Sequence, residues 1–164
     1  LSGLVGSEMC IRDRSYSGQF APAVPMMDRV KYLQQELSKL PQYEPETKHY
    51  FHGGMYCREV FRPAGVLVVG AVHKQEHFYL IVSGTVKITD GDGNAVEVTG
   101  PHLFLSKPGT KRAVYALTDT LCMTFHATEA QTVDAAEREL VEEDPDAMYA
   151  LGNKVKTEQI EVSP

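Results

Sequence analysis

Two histidines four residues apart, His73 and His77, bracket the polar step Lys74-Gln75-Glu76 and precede an apolar run that stops at Gly84. Neutral imidazole is the commonest side-chain metal ligand and a proton carrier near neutral pH. Farther along, His126 lies in another apolar run and Arg112 closes the stretch Lys107-Pro-Gly-Thr-Lys-Arg112. A guanidinium repels a metal ion but grips a carboxylate or phosphate through paired hydrogen bonds. These residue types can serve a metal centre or an anion pocket. On a straight strand, residues four apart share a face but stand about 13 Å from each other. His73 and His77 can therefore act on one ligand only if the chain turns at Lys74-Gln75-Glu76.

The elements around them read as strands. Met55–Phe61, Val66–Val72, Phe78–Val82, Thr85–Thr89, Ala95–Thr99, His102–Leu105, Ala113–Leu117 and Leu121–His126 are rich in β-branched and aromatic residues. Turn chemistry separates most of them, at Pro63-Ala-Gly65, Ser83-Gly84, Asp90-Gly-Asp-Gly-Asn94, Gly100-Pro101 and Lys107-Pro-Gly109. Short strands at this spacing, with no helix between them, predict an all-β, single-domain antiparallel sandwich or barrel. Ahead of it, Val30, Leu33, Leu37 and Leu40 recur at helical spacing, with Asp28 placed to cap the start and Pro41 to stop the helix. After it, Thr128-Glu-Ala-Gln131 can form a capping box for a helix carrying Val133, Ala136, Leu140 and Val141. The division is thus a segment 1–25, an N-terminal helix 26–41, a barrel 49–128, and an acidic C-terminal helix and tail 129–164. His73-x-x-Glu76-His77 also fits the H-x-x-E-H string of inverted zinc proteases, which requires a helix; the surrounding valines and isoleucines favour strand. Asp90–Asn94 evokes a calcium loop, but lacks the later bidentate Glu of that pattern and reads as a hairpin turn.

Composition narrows the classes further. The formal net charge is -6 over 164 residues, and eight acidic residues between Glu129 and Asp146 face Arg138 alone. No basic stripe is present to neutralise a phosphate backbone, so nucleic acid is not an expected partner. No apolar run reaches the roughly 20 residues that cross a bilayer, and no membrane partner is expected. Residues 4–14 resemble a translated sequencing-library adapter and are set aside with the rest of 1–14 as an assembly scar, which leaves the true N-terminus open. Cys10 falls in that segment; Cys57 and Cys122 remain, and are expected as buried free thiols in a cytoplasmic protein.

From about Gly54 to Thr128 the chain resembles the cupin family, small jelly-roll barrels with two sequence motifs. In the first motif two histidines in an H-x-H step precede a Glu, and a Gly ends the next strand. Here Ala71 stands at the first His, His73 at the second, His77 at the Glu and Gly84 at the Gly. The second motif, Pro-Gly followed three residues later by a His, resembles Pro108-Gly109 with Arg112 at the His position. One usual ligand is kept, one is exchanged and two are lost; Gln75, Glu76 or His126 could complete a set. The stretches His49-Tyr-Phe51, Tyr56-Cys-Arg58-Glu59, His73–His77, Pro108–Arg112 and Tyr115-Ala116 further resemble small cupin-like proteins of bacteriophage genomes. That resemblance implies residence in the host cytoplasm, virion association being a second possibility.

Three readings follow. In the first, the barrel binds an anionic or sugar-like small molecule without catalysis, through His73, His77, Arg112 and Tyr115. In the second it is a metal-dependent enzyme of dioxygenase or isomerase type. One divalent ion (Fe, Mn, Ni or Zn) is then held by His73 and His77, with His126 or Gln75 as further ligands. In the third it is a metal-free sugar-processing enzyme, with His73 or His77 carrying protons and Arg112 clamping an anion. The broken metal set favours the first. The apolar stripe of the N-terminal helix must pack either on its own barrel, the favoured reading, or on a second copy. A homodimer is a possible assembly, because cupins commonly pair through their sheets.

Overall fold

The computed structural model describes residues 26–89 and 94–156. The adapter-like segment, the linker that follows it, most of the Asp90–Asn94 turn and the end of the tail lie outside the described residues. The helix α1 spans Met26–Leu37. Nine strands follow: β1 Thr47–His52, β2 Met55–Arg62, β3 Leu67–Val69, β4 His77–Ser83, β5 Thr85–Thr89, β6 Ala95–Thr99, β7 His102–Ser106, β8 Ala113–Ala116 and β9 Thr120–Ala127. The helix α2 is Val133–Leu140, and a small hairpin of β10 Tyr149–Ala150 and β11 Lys154–Val155 comes last. All strand pairs are antiparallel. One sheet has the order β1-β2-β9-β4-β7 and faces a second of order β3-β8-β5-β6. Among the described residues no ladder joins the two into a continuous ring, so the expected barrel is an open two-sheet sandwich.

Alternation along the strands builds the interior. β9 buries Thr120, Cys122, Thr124 and His126 and turns Leu121, Met123 and Phe125 the other way. Tyr79 and Ile81 of β4, Cys122, and Val86, Ile88 and Val114 of the opposing sheet form one cluster. Fully burying a residue such as Ile81 or Val86, each 0% exposed, stabilises the sandwich by about 1.5–3 kcal/mol. The motif glycine, Gly84, has φ +86°, and a Cβ there would collide with the Asp119 carbonyl and Thr120. This lets the β4–β5 turn lie directly on the start of β9.

The structure departs from the sequence expectation in several places. β1 was not foreseen as a strand, because Thr47-Lys-His-Tyr-Phe-His52 lacks a β-branched run; it pairs with β2 through Gly53 and Gly54, both at positive φ. α1 stops at Leu37 rather than near Pro41, the chain leaving it through tighter turns in which Leu40 N and Gln42 Nε2 both donate to the Leu37 carbonyl, at 3.0 and 2.7 Å. Leu40 is exposed, while Val30, Leu33 and Leu37 pack on Val69 and Ala113 of the same chain. The stripe is therefore covered by the chain's own sandwich, the packing the sequence reading favoured. α2 is capped by Thr132, which accepts from Ala135 N, not by Thr128. Thr128 instead donates to Glu139. Within the acidic stretch, Glu137 is buried against Arg58, and Asp144 meets the buried Lys111 at 2.6 Å. Among the described residues no helix is long and apolar enough to cross a membrane.

Candidate metal centre

Register places the site at one end of the five-stranded sheet. Tyr56 pairs with His126, and Phe78 with Phe125, so His77 and His126 are neighbours on adjacent strands. Both point inward by the alternation of β4 and β9. His73 arrives from the connection before β4, where Lys74, Gln75 and Glu76 loop out into solvent. This is the turn the sequence required, and no helix runs through it. It is tied from both sides: His73 bridges Val141, its carbonyl accepts from Gly109 N at 3.0 Å, and Lys74 N donates to the Leu140 carbonyl. Lys74 Nζ also donates to the Arg138 carbonyl, a favourable place for a cation at a helix C-terminus.

The three imidazoles converge. Ring centroids lie 4.2 Å apart for His73–His77, 4.5 Å for His77–His126 and 5.0 Å for His73–His126. One ring nitrogen from each falls within 4.8 Å of the others, and all three residues are buried. His77 Nδ1 lies 3.4 Å from the Gln75 carbonyl. A carbonyl only accepts, so that nitrogen carries the proton and Nε2 keeps its lone pair. Behind His126, Tyr56 stacks at 5.8 Å and shares a 2.7 Å hydrogen bond with His49 Nδ1. Burial holds the Tyr56 hydroxyl protonated, pushed up to about 12.

The triad is neutral. Burial, then His77, Arg58 and His126, push His73 down to about 2. Burial, His77 and Arg58 push His126 down to about 3. His77 is lowered as well, by burial and by Arg58 and Arg112, against the pull of the Gln75 carbonyl. Three neutral imidazoles whose ring nitrogens gather within 4.8 Å form a donor set that needs no deprotonation, while Arg58 and Arg112 oppose a positive ion as they oppose the protons.

Beside the triad lies a cavity of about 80 Å³, lined by Arg58, Arg62, Arg112, His73, His77 and Thr124 among others. No Asp or Glu lines it among the described residues. Arg58 and Arg62 also face a larger groove of about 440 Å³ that the C-terminal segment borders. Arg112 donates to Ser106 at 2.6 Å and lies over the Phe104 ring.

Of the residues singled out from sequence, His73, His77 and His126 come together, and Arg112 lines the cavity with His73 and His77. Gln75 and Glu76 do not join; Gln75 is exposed and contributes only its carbonyl. Tyr115 is 38% exposed, paired with Leu67 and Lys87 on strands, and does not line the cavity. The sequence reading missed Arg62 and Thr124. Their signal was present as alternation: Arg58, Val60 and Arg62 share one face of β2, and Thr124 shares a face of β9 with His126.

No family model matches the sequence, and no curated protein matches it. Solved structures similar to the chain include KdgF from a Halomonas species, with TM-score 0.46 and 14% identity over 54% of this chain and 82% of that one. A Klebsiella pneumoniae protein with a double-stranded β-helix domain has TM-score 0.46 and 13% identity over 77% and 95%. A cupin superfamily protein from Desulfitobacterium hafniense has TM-score 0.43 and 12% identity over 57% and 88%. Likeness at this level says nothing of chemistry.

Proposed function

We propose that the chain is a cupin-type protein whose His73, His77 and His126 hold one divalent metal ion, with a small anionic ligand admitted beside it. The observation that carries this reading is the convergence of three buried neutral imidazoles within 4.8 Å. It outweighs the sequence argument against a metal. The positions of Ala71 and Arg112 are lost as ligands, yet His77 and His126 restore a set of three. Imidazole ligation suits zinc, iron, nickel or copper. Nitrogens sharing a tetrahedral ion with bonds of 2.0–2.1 Å sit about 3.4 Å apart, so the stacked rings must both close by about 1 Å and turn to complete the set. A bound ion would supply Lewis acidity toward an oxygen of the ligand.

The chain's own residues do the rest. Tyr56 and Phe51 wall off His126 from water, and Arg112 favours an anion in the cavity. Metal-dependent catalysis of the dioxygenase or isomerase type remains the sharper version of this reading. In the metal-free reading, His73 is disfavoured as a general acid, because an imidazole held near 2 carries no proton at neutral pH, and burial lowers His77 in the same direction. A phage origin and a host-cytoplasm residence belong to the reading on sequence resemblance alone.

Plasma mass spectrometry on protein purified without added metal or chelator tests it. About one equivalent of a first-row divalent metal, lost in both His77→Ala and His126→Ala, is the expected result. A folded, metal-free parent that takes up no zinc, iron, manganese or nickel on titration would return the protein to the metal-free ligand-binding reading.

A further inference from the structure

Among the described residues, four buried side-chain polar atoms have no hydrogen-bond partner: Arg58 Nε, Arg62 Nε, Thr124 Oγ1 and Glu137 Oε1. Native interiors keep such atoms rare, and each one left unpaired costs stability. The first three belong to one wall. Arg58 pairs with Thr124 across β2 and β9, Arg62 lies farther along the same inward face, and all three residues line the cavity of about 80 Å³. Thr124 is 7% exposed, so water outside the protein does not satisfy its hydroxyl. The arginines are held by their other nitrogens: Arg58 Nη1 lies 3.4 Å from Asn153 Oδ1 and 3.5 Å from Glu137, and Arg62 Nη1 donates to Tyr79 at 3.1 Å. Glu137 approaches Arg58 from the C-terminal segment and does not line the cavity.

We propose that this wall is a carboxylate-binding subsite. Arg58 Nε–H and the Thr124 hydroxyl, on cross-strand partners, donate to the carboxylate of a small organic acid whose other end faces the histidines, and Arg62 adds positive charge farther along the wall. The orientation of that acid rests on the metal-centre reading; its binding does not. Two donors on paired residues of adjacent strands match the two oxygens of a planar carboxylate, whereas a phosphate dianion has further oxygens that this pair does not serve. The cavity of about 80 Å³ suits a small ligand, and three arginines with no Asp or Glu among its lining residues favour negative charge, Glu137 offsetting Arg58 from the adjoining groove.

Isothermal titration of the full chain with malonate, in chelator-treated and in zinc-loaded form, tests the subsite. Malonamide and inorganic phosphate serve as comparison ligands. Malonate is expected to bind both forms, and to bind at least about tenfold more tightly than malonamide, because charge-assisted bonds replace neutral ones. Thr124→Val should weaken malonate about tenfold while leaving the melting temperature equal or higher, since a methyl replaces an unpaired hydroxyl. Thr124→Ser should retain the parent affinity. A merely structural Thr124 would show the reverse, a lower melting temperature with unchanged affinity, and that result would overturn the inference. So would phosphate binding as tightly as malonate, no malonate binding in either form, or binding confined to the zinc-loaded form. Malonate binding with the Thr124 dependence, in a protein that takes up no zinc, would keep the subsite and remove the metal centre.

Discussion

Acidification from pH 7.5 to pH 5.5 should unload this fold through its histidines. In the unfolded chain an imidazole titrates near 6.5, but in the folded protein His73 titrates at about 2 and His126 at about 3. The native state therefore binds fewer protons than the unfolded state throughout this window. Stability is whole above pH 6.5 and is lost as the pH falls through that value, with the loss continuing toward pH 3. At pH 5.5 each unfolded imidazole is about nine-tenths protonated, which favours unfolding by about 1.4 kcal/mol per histidine, or about 3 kcal/mol for the pair. His77 and His49, also lowered by burial, add in the same direction. Carboxylates with ordinary values near 4 stay ionised in both states over this range and do not blur the effect. Urea unfolding of chelator-treated protein at the two pH values is the assay. With a slope of about 1–3 kcal/mol/M, the midpoint should drop by about 1–3 M. His126→Gln should remove roughly half of that dependence while keeping the sheet intact. An unchanged midpoint, or a full-sized drop surviving in His126→Gln, would show that the triad is not held neutral by its surroundings.

Two other expectations concern packing and assembly. Lys111 is 3% exposed and meets Asp144 at 2.6 Å, so Asp144→Asn strands a buried ammonium and should cost about 3 kcal/mol, near 10 °C in melting temperature, whereas Lys111→Met should cost much less. Equal losses in the two variants would show that the pair acts through packing alone. The outer face of the five-stranded sheet carries Phe78, Leu103 and Leu105, each about half exposed and adjacent by register, together with Phe61 and Met55. A second copy of the chain is proposed to cover it. Sedimentation should find a dimer that Leu103→Glu converts to a folded monomer, and a parent monomeric at every concentration reached would dismiss the idea.

The strands were legible because period-two alternation and turn residues are local properties. The eight strands read from sequence all recur, with ends shifted by a few residues. β1 was not legible, since its histidines and lysine suit an edge strand whose partner must be known first. Thr128 and Thr132 both carry capping chemistry, and only packing decides between them. In the site, the spacing of His73 and His77 permitted convergence but could not show it. The decisive fact, that β9 lies between β2 and β4, is a matter of strand order. That order puts His126 beside His77 and Thr124 beside Arg58. Motif comparison pointed the other way, because it registers the loss of ligands at fixed positions and not their replacement from another strand.

The attachment of the His73 loop to α2 bears on modularity. Val141 bridges His73, Leu140 accepts from Lys74, and Glu137 and Asn153 hold Arg58. A fragment cut at the end of β9 would keep every strand of both sheets and still lose the supports of a candidate ligand and of an arginine in the cavity wall. The heritable unit of this chemistry is therefore larger than the sandwich. Recombination that moved the strands without the segment to Val155 would transfer a shape and leave the site behind.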